Sequence, residues 1–108
     1  MSTHFRGGMS ELMRQASRLQ RKIEKRKQEL QDETVDASAG NDQVKVKVNG
    51  AKELVSIEIH PELLKGEDLA MVQDLVVAAV NAGLKKAGET VDQELEKVTG
   101  GLKIPGLF

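Results

Sequence analysis

The run from Thr34 to Ile59 restricts the fold more than any other part of the chain. Val44, Val46 and Val48 alternate with Lys45, Lys47 and Asn49, and Val55, Ile57 and Ile59 alternate with Ser56, Glu58 and His60. Successive strand side chains point to opposite sides, so β-branched residues at every second position give an extended chain one apolar face and one polar face. Asn49-Gly50 lies between the two runs and marks a hairpin. A two-residue Asn-Gly loop would set Val46 opposite Glu53. A four-residue loop, Asn49 to Lys52, sets Val46 opposite Val55 and Val44 opposite Ile57, and register follows the hydrophobic pattern when one face is buried. Upstream, Gly40-Asn41 signals another turn. A two-residue loop there pairs Ala37 with Val44 and Val35 with Val46. The expectation is a three-stranded antiparallel meander. Its apolar face carries Val35, Ala37, Val44, Val46, Val55, Ile57 and Ile59, and its polar face carries Lys45, Lys47, Ser56 and Glu58.

The flanking segments read as helices. Residues 1–8 include Gly7-Gly8 and are expected to form a mobile arm, with a helix starting at Ser10-Glu11 and running to about Glu33. Met9, Ala16, Ile23 and Leu30 recur every seven residues, as do Leu12, Leu19 and Arg26. Such a heptad seam packs lengthwise on another helix. After the strands, Pro61 ends the ladder, Glu62-Leu63-Leu64 makes a short helical turn, and Lys65-Gly66 breaks it. Glu67 and Asp68 open a second long helix with acids suited to its N-terminus. Leu75 to Ala82 is almost wholly apolar and is expected on the sheet. Leu84, Ala87, Val91, Leu95 and Val98 thin to a seam that matches the first helix. Gly83 and Gly88 permit close packing or a bend, and Thr99-Gly100-Gly101 stops the helix. The apolar tail, residues 102–108, is expected to dock on its own subunit or a partner. The whole chain, 1–108, reads as one α+β domain.

A core must come from aliphatic side chains, because the chain has no Trp or Tyr and only two Phe. A chain of 108 residues so built is marginal alone, which predicts an oligomer. There is no Cys, hence no disulfide framework and no thiolate chemistry. No run has the length and apolarity of a membrane span or secretory signal. His4 and His60 share no metal-ligand spacing, no Gly-rich loop joins a strand to a helix, and no Ser has a His base and an acid partner. No metal, cofactor, small-molecule substrate or enzymatic activity is therefore expected. The acids Glu89, Asp92, Glu94 and Glu96 read as a solvated helix face.

The net charge of −1 hides an asymmetry: residues 1–33 carry +3 and residues 34–108 carry −4. On a helical wheel, Arg14, Arg18, Arg21, Lys22 and Lys25 share a narrow arc opposite the apolar seam. A solvated charged face and a row of phosphate contacts both fit this stripe. Lys85 and Lys86 on the second long helix are weaker candidates. Single-stranded nucleic-acid binders stack bases on aromatics, and no aromatic is placed for that, so duplex backbone contact is the favoured nucleic-acid reading. A protein-interaction module, a coiled-coil adaptor or chaperone-like dimer whose stripe meets an acidic surface, is the alternative.

The chain resembles the YbaB/EbfC family of small bacterial nucleoid-associated proteins nearly end to end. The resemblance is carried by Met13 to Ala16, Val44 to Gly50, Ile57 to Leu64, Asp74 to Ala82 and the closing Thr99 to Phe108. His60 departs from the family's usual Asp before Pro. The resemblance implies a homodimer in which sheets meet and paired long helices project as arms. It also implies duplex DNA binding with modest or variable sequence preference, at the cytoplasmic nucleoid.

Overall fold

The structure, a computed structural model, describes residues 2–66 and 68–101, with side chains from residue 8 onward. The element order is α1 (Ser2–Asp32), β1 (Thr34–Ala39), β2 (Val44–Asn49), β3 (Leu54–Ile59), α2 (Pro61–Lys65) and α3 (Leu69–Val98). This is the expected α+β succession. One boundary differs: α1 begins at Ser2 and runs through Gly7 and Gly8, so the helix starts well before Ser10. Two glycines cost about 2 kcal/mol of helix propensity. That sum is small against the hydrogen bonds of a long helix already nucleated on its C-terminal side. The tail and Glu67 lie outside the described residues.

The sheet order is β1-β2-β3, antiparallel throughout. Val44, Val46 and Val48 of the central strand are buried and alternate with exposed Lys45 and Lys47. Both hairpin registers differ from expectation by two residues. Ala37 pairs with Val46 and Ala39 with Val44, because the first loop takes four residues, Gly40 to Gln43. It closes with Gln43 N–H donating to Gly40 O at 3.1 Å and Ser38 Oγ donating to Asp42 Oδ1 at 2.6 Å. Val46 pairs with Ile57 and Val44 with Ile59, with a register shift at Lys47/Val48 that lets Val55 slip past its expected partner. The loop itself is drawn shut by the Asn49 carboxamide, whose Oδ1 accepts from both Ala51 N–H and Glu53 N–H at 3.0 Å. From Val44 to Lys47 the slip of two keeps side chains on their expected faces, whereas the one-residue shift at Lys47/Val48 sets Leu54 opposite Val48.

The second loop also joins the sheet to α1. Gly50 N–H donates to Leu30 O and Glu33 O, each at 3.1 Å, and so ties the loop to the C-terminal end of α1, where Leu30 O also accepts from Glu33 N–H. The Leu30 carbonyl lies so close over Gly50 that any Cβ there would overlap it.

Helix α3 joins the two layers. Asp68 caps it, its Oδ1 accepting from Met71 N–H at 3.0 Å. The first part packs on the sheet through Val72, Leu75, Val76, Ala79 and Val80. Val77, Ala78 and Ala82 of the same apolar run face outward, contrary to the expectation that the whole run is buried. Gly83 is the point of closest approach: a Cβ there would meet Val48 Cγ2 at 2.7 Å and Val46 Cγ2 at 3.0 Å. The second part leaves the sheet and pairs with α1 around Ile23, Leu30 and Leu95. Gly101 N–H returns to Glu96 O at 2.7 Å and Gly100 N–H to Lys97 O at 3.4 Å, which ends the helix.

The result is elongated, 80 × 19 × 16 Å, with a radius of gyration of 21.1 Å. A compact chain of this length has a radius near 13 Å, so an arm projects from a base. One sheet expectation fails. Helix α3 packs on β1 and β2, and Val55 and Ile57 of β3 remain 53 and 42% exposed rather than buried, beside Leu54 at 45%. Only Ile59 of that strand joins the core.

Candidate nucleic-acid interface

The arm is α1 laid against the second part of α3. Leu19, Ile23 and Leu30 supply the α1 side of the seam, and Val91, Leu95 and Val98 supply the α3 side. Met9 and Leu12, expected to continue the seam, are 49 and 61% exposed and are not among the α1 residues packed in the arm. Arg26, the polar residue in the heptad, is the ionic staple of the arm. Its guanidinium reaches Glu29 at 3.2 Å and Glu33 at 2.9 Å on its own helix, and Glu94 of α3 at 3.5 Å. These carboxylates, Glu33 foremost, raise the already high pKa of Arg26. Glu94, which was expected to be solvated, is 26% exposed at its side chain and also holds Lys97 at 3.3 Å. The hydrogen bond from Lys97, aided by Arg26, keeps its carboxyl below the usual glutamate range despite partial burial.

With the seam turned toward α3, Arg14, Arg18, Arg21, Lys22 and Lys25 are all exposed on α1. They are not equivalent. Glu11 lies 3.7 Å from Arg14 and 3.9 Å from Arg18, and offsets part of their charge. The spacing of Glu11 and Arg14, three residues on a helix, already signals that pairing. Arg21, Lys22 and Lys25 have no ion-pair partner among the described residues. Arg21 and Lys25 line a shallow groove along α1 with Ser17, Gln20, Glu24 and Gln28. Arg21, Lys22 and Lys25, the cations of the stripe without an ion-pair partner among the described residues, follow the helix axis at about 1.5 Å per residue.

The weaker candidates separate. Lys86 Nζ donates to Asp36 O at 2.7 Å and ties α3 to β1. Their separation of fifty positions leaves no local signal of this contact in the sequence. Lys85 is exposed. His60 caps α2, its Nδ1 accepting from Glu62 N–H at 3.1 Å, the same acceptor role a carboxylate fills at that position. The side chain of His4 lies outside the described residues. Among the described residues no group of three or more His, Cys, Asp or Glu could hold a metal ion, and no helix is long and apolar enough to cross a membrane.

A sheet-packed base with a projecting two-helix arm, carrying one-signed charge away from its packing seam, defines the class: a small α+β scaffold with a basic helical arm. The chain belongs to the YbaB/EbfC DNA-binding family, whose model matches residues 6–102. It is 49% identical over 102 residues to a nucleoid-associated protein of Pelotomaculum thermopropionicum, covering 94% of this chain and 97% of that one. It is 48% identical over 100 residues to another of Alkaliphilus metalliredigens, covering 93% and 88%. The crystal structure of HP0035 from Helicobacter pylori, described as uncharacterised, shares the fold with a TM-score of 0.69 at 25% identity, over 84% of this chain and 96% of that one.

Proposed function

We propose that the chain is a nucleoid-associated protein that holds duplex DNA as a homodimer, with low or modest sequence specificity, through phosphate contacts from Arg14, Arg18, Arg21, Lys22 and Lys25. The observation that carries the reading is the exposure of this stripe on the side of α1 away from α3, with Arg21, Lys22 and Lys25 lacking ion-pair partners among the described residues. Membership of a DNA-binding family supports duplex DNA as the partner. The names of the relatives support a place at the nucleoid, in the cytoplasm. The uncovered apolar side chains of β3 support the homodimer, since a second copy would remove them from water. Phosphates carry no sequence information, so affinity built on such contacts varies little among duplexes.

The test is a binding titration of wild type and an Arg18→Glu/Lys22→Glu variant across a salt series. Both positions are exposed, so the change should move stability by no more than about 0.5 kcal/mol. Each lost phosphate contact should flatten the plot of log affinity against log salt by roughly 0.9. With two contacts in each of two subunits the change approaches four times that value, provided both arms engage one duplex. Weakening should be similar on unrelated duplexes. Unchanged affinity in a folded variant removes the stripe from the mechanism. Absence of DNA binding by wild type at low salt favours a protein-interaction dimer.

A further inference from the structure

The basic arc of α1 has two ends. At about 100° per residue, Arg14, Arg18, Arg21, Lys22 and Lys25 fall within about 100° of one another on the wheel. Glu11, ahead of Arg14, lies on that same arc, and so do Glu29 and Asp32, beyond Lys25. Between Arg14 and Lys25 the arc holds no acid, since Glu24 falls outside it. The cations thus occupy about 16 Å of helix, at about 1.5 Å per residue, with negative charge past either end.

These acids differ in what holds them. Glu11 is drawn to Arg14 and Arg18 at 3.7 and 3.9 Å, and Glu29 to Arg26 at 3.2 Å. Asp32 is exposed and has no ion-pair partner among the described residues. Its position works against the helix. It is the last residue of α1, and the last turn carries no cation, whereas the partial negative charge of a helix C-terminus favours a cation and disfavours a carboxylate. Neither packing, ion pairing nor helix stability accounts for an acid there. A polyanionic partner does. A carboxylate on the binding arc repels phosphate, and like charge set against a wrong contact fixes register as attraction alone does not. Here the arm also meets the sheet, since Gly50 N–H bonds to Leu30 O and Glu33 O on either side of Asp32. We propose that Asp32, with Glu29, keeps duplex DNA off the sheet end of α1 and confines it to the stretch from Arg14 to Lys25. This rests on DNA binding through the basic stripe.

The first test is Asp32→Lys in full-length protein. Asp74→Lys, at an exposed position on the sheet-packed part of α3, makes the same change of charge and serves as the control. Asp32→Lys should bind duplex DNA more tightly than wild type and steepen the plot of log affinity against log salt by roughly 0.9 for each arm that gains a phosphate contact. Asp74→Lys should leave the slope as it is. A wild-type slope for Asp32→Lys overturns the proposal while the stripe stands, and so does equal steepening by both variants. A second measurement leaves Asp32 intact. The chain has no Cys, so Gln20→Cys and Gln31→Cys each offer a single thiol. Both positions are exposed and lie within about 20° of each other on the wheel, the first beside Arg21 and Lys25. An iron–EDTA chelate on Gln20→Cys should cut a bound duplex, and the same chelate on Gln31→Cys should cut it far less. Equal cutting overturns the proposal. No cutting from either site, or no DNA binding by wild type at low salt, removes the reading of the stripe and the proposal with it.

Discussion

Two glycines of α3 look alike in the sequence and differ in space. Gly83 faces Val46 and Val48 of the central strand at distances a Cβ cannot tolerate. Valine side chains are short and stiff at χ1, and both are held by the sheet, so neither can withdraw. Gly83→Ala would gain about 1 kcal/mol of helix propensity and lose about 1–3 kcal/mol to overpacking. The expected outcome is net destabilisation. At Gly88 an added Cβ would meet only Lys52 Cε, at 3.7 Å. Gly88→Ala should therefore stabilise by up to about 1 kcal/mol. Urea unfolding of the two variants checks the pair, and shifts of the same sign would contradict the packing described for α3. His60 shows the same logic in its side chain. Its departure from the family's usual Asp leaves the cap in place, because an imidazole nitrogen can accept the Glu62 N–H as a carboxylate does.

At the scale of elements, the arm is a narrow seam reinforced by the Arg26 and Glu94 contacts. Glu94 titrates below the usual glutamate range in the folded chain, through Lys97 first and then Arg26. A carboxyl with a depressed folded pKa contributes stability that is present above its unfolded value and lost as pH falls through the folded one. The melting temperature of wild type should thus fall on acidification below the ordinary glutamate range, about pH 4.3. Glu94→Gln should be less stable at neutral pH and converge on wild type in acid. Circular dichroism melts across pH measure this, and a gap between the two that persists unchanged into acid would exclude Glu94 as a contributor.

The sheet makes a second prediction at this scale. Val46 is 2% exposed at the centre of the meander. Val46→Asp buries a charge without a partner and should cost several kcal/mol, enough to unfold the chain. Ile57, its cross-strand neighbour, is 42% exposed in the single chain. An acid there meets water unless a second copy covers it. Ile57→Asp should consequently weaken self-association while leaving the contacts of α3 with β1 and β2 in place. A melting temperature for Val46→Asp equal to that of wild type would contradict the observed face assignment.

For the whole molecule, an extent of 80 Å on 108 residues leaves a large surface for a small core. The uncovered β3 and the outward Val77 add to it. Wild type should therefore be a dimer whose melting temperature rises with protein concentration, because association stabilises by mass action. Sedimentation of a folded wild-type monomer at micromolar concentration would overturn the homodimer. The charge-reversal experiment belongs to this scale as well. Its full change in salt slope requires two arms on one duplex, and a change half as large would show that only one arm engages.

Read from residues alone, the chain already specified the element order, the alternation of the sheet, the Leu19 to Leu30 part of the arm's seam and the arc of basic side chains, while Met9 and Leu12 of the same heptads are exposed. Each rests on local periodicity, and a period of two or of about 3.6 is written in neighbouring residues. Register was not specified, because a two-residue period is satisfied equally by pairings two residues apart. The choice between them came from loop closure by Ser38 and Asn49, and from the bonds of Gly50 to the end of α1. The fate of β3 was not specified either, since its alternation is the same whether a helix of its own chain or another subunit covers it. Among the cations, only the tertiary contacts separated Lys86, committed to the Asp36 carbonyl, from Arg21, Lys22 and Lys25. A charge in the sequence has no address until the fold brings its neighbours, and here those neighbours come from strands and helices far away along the chain.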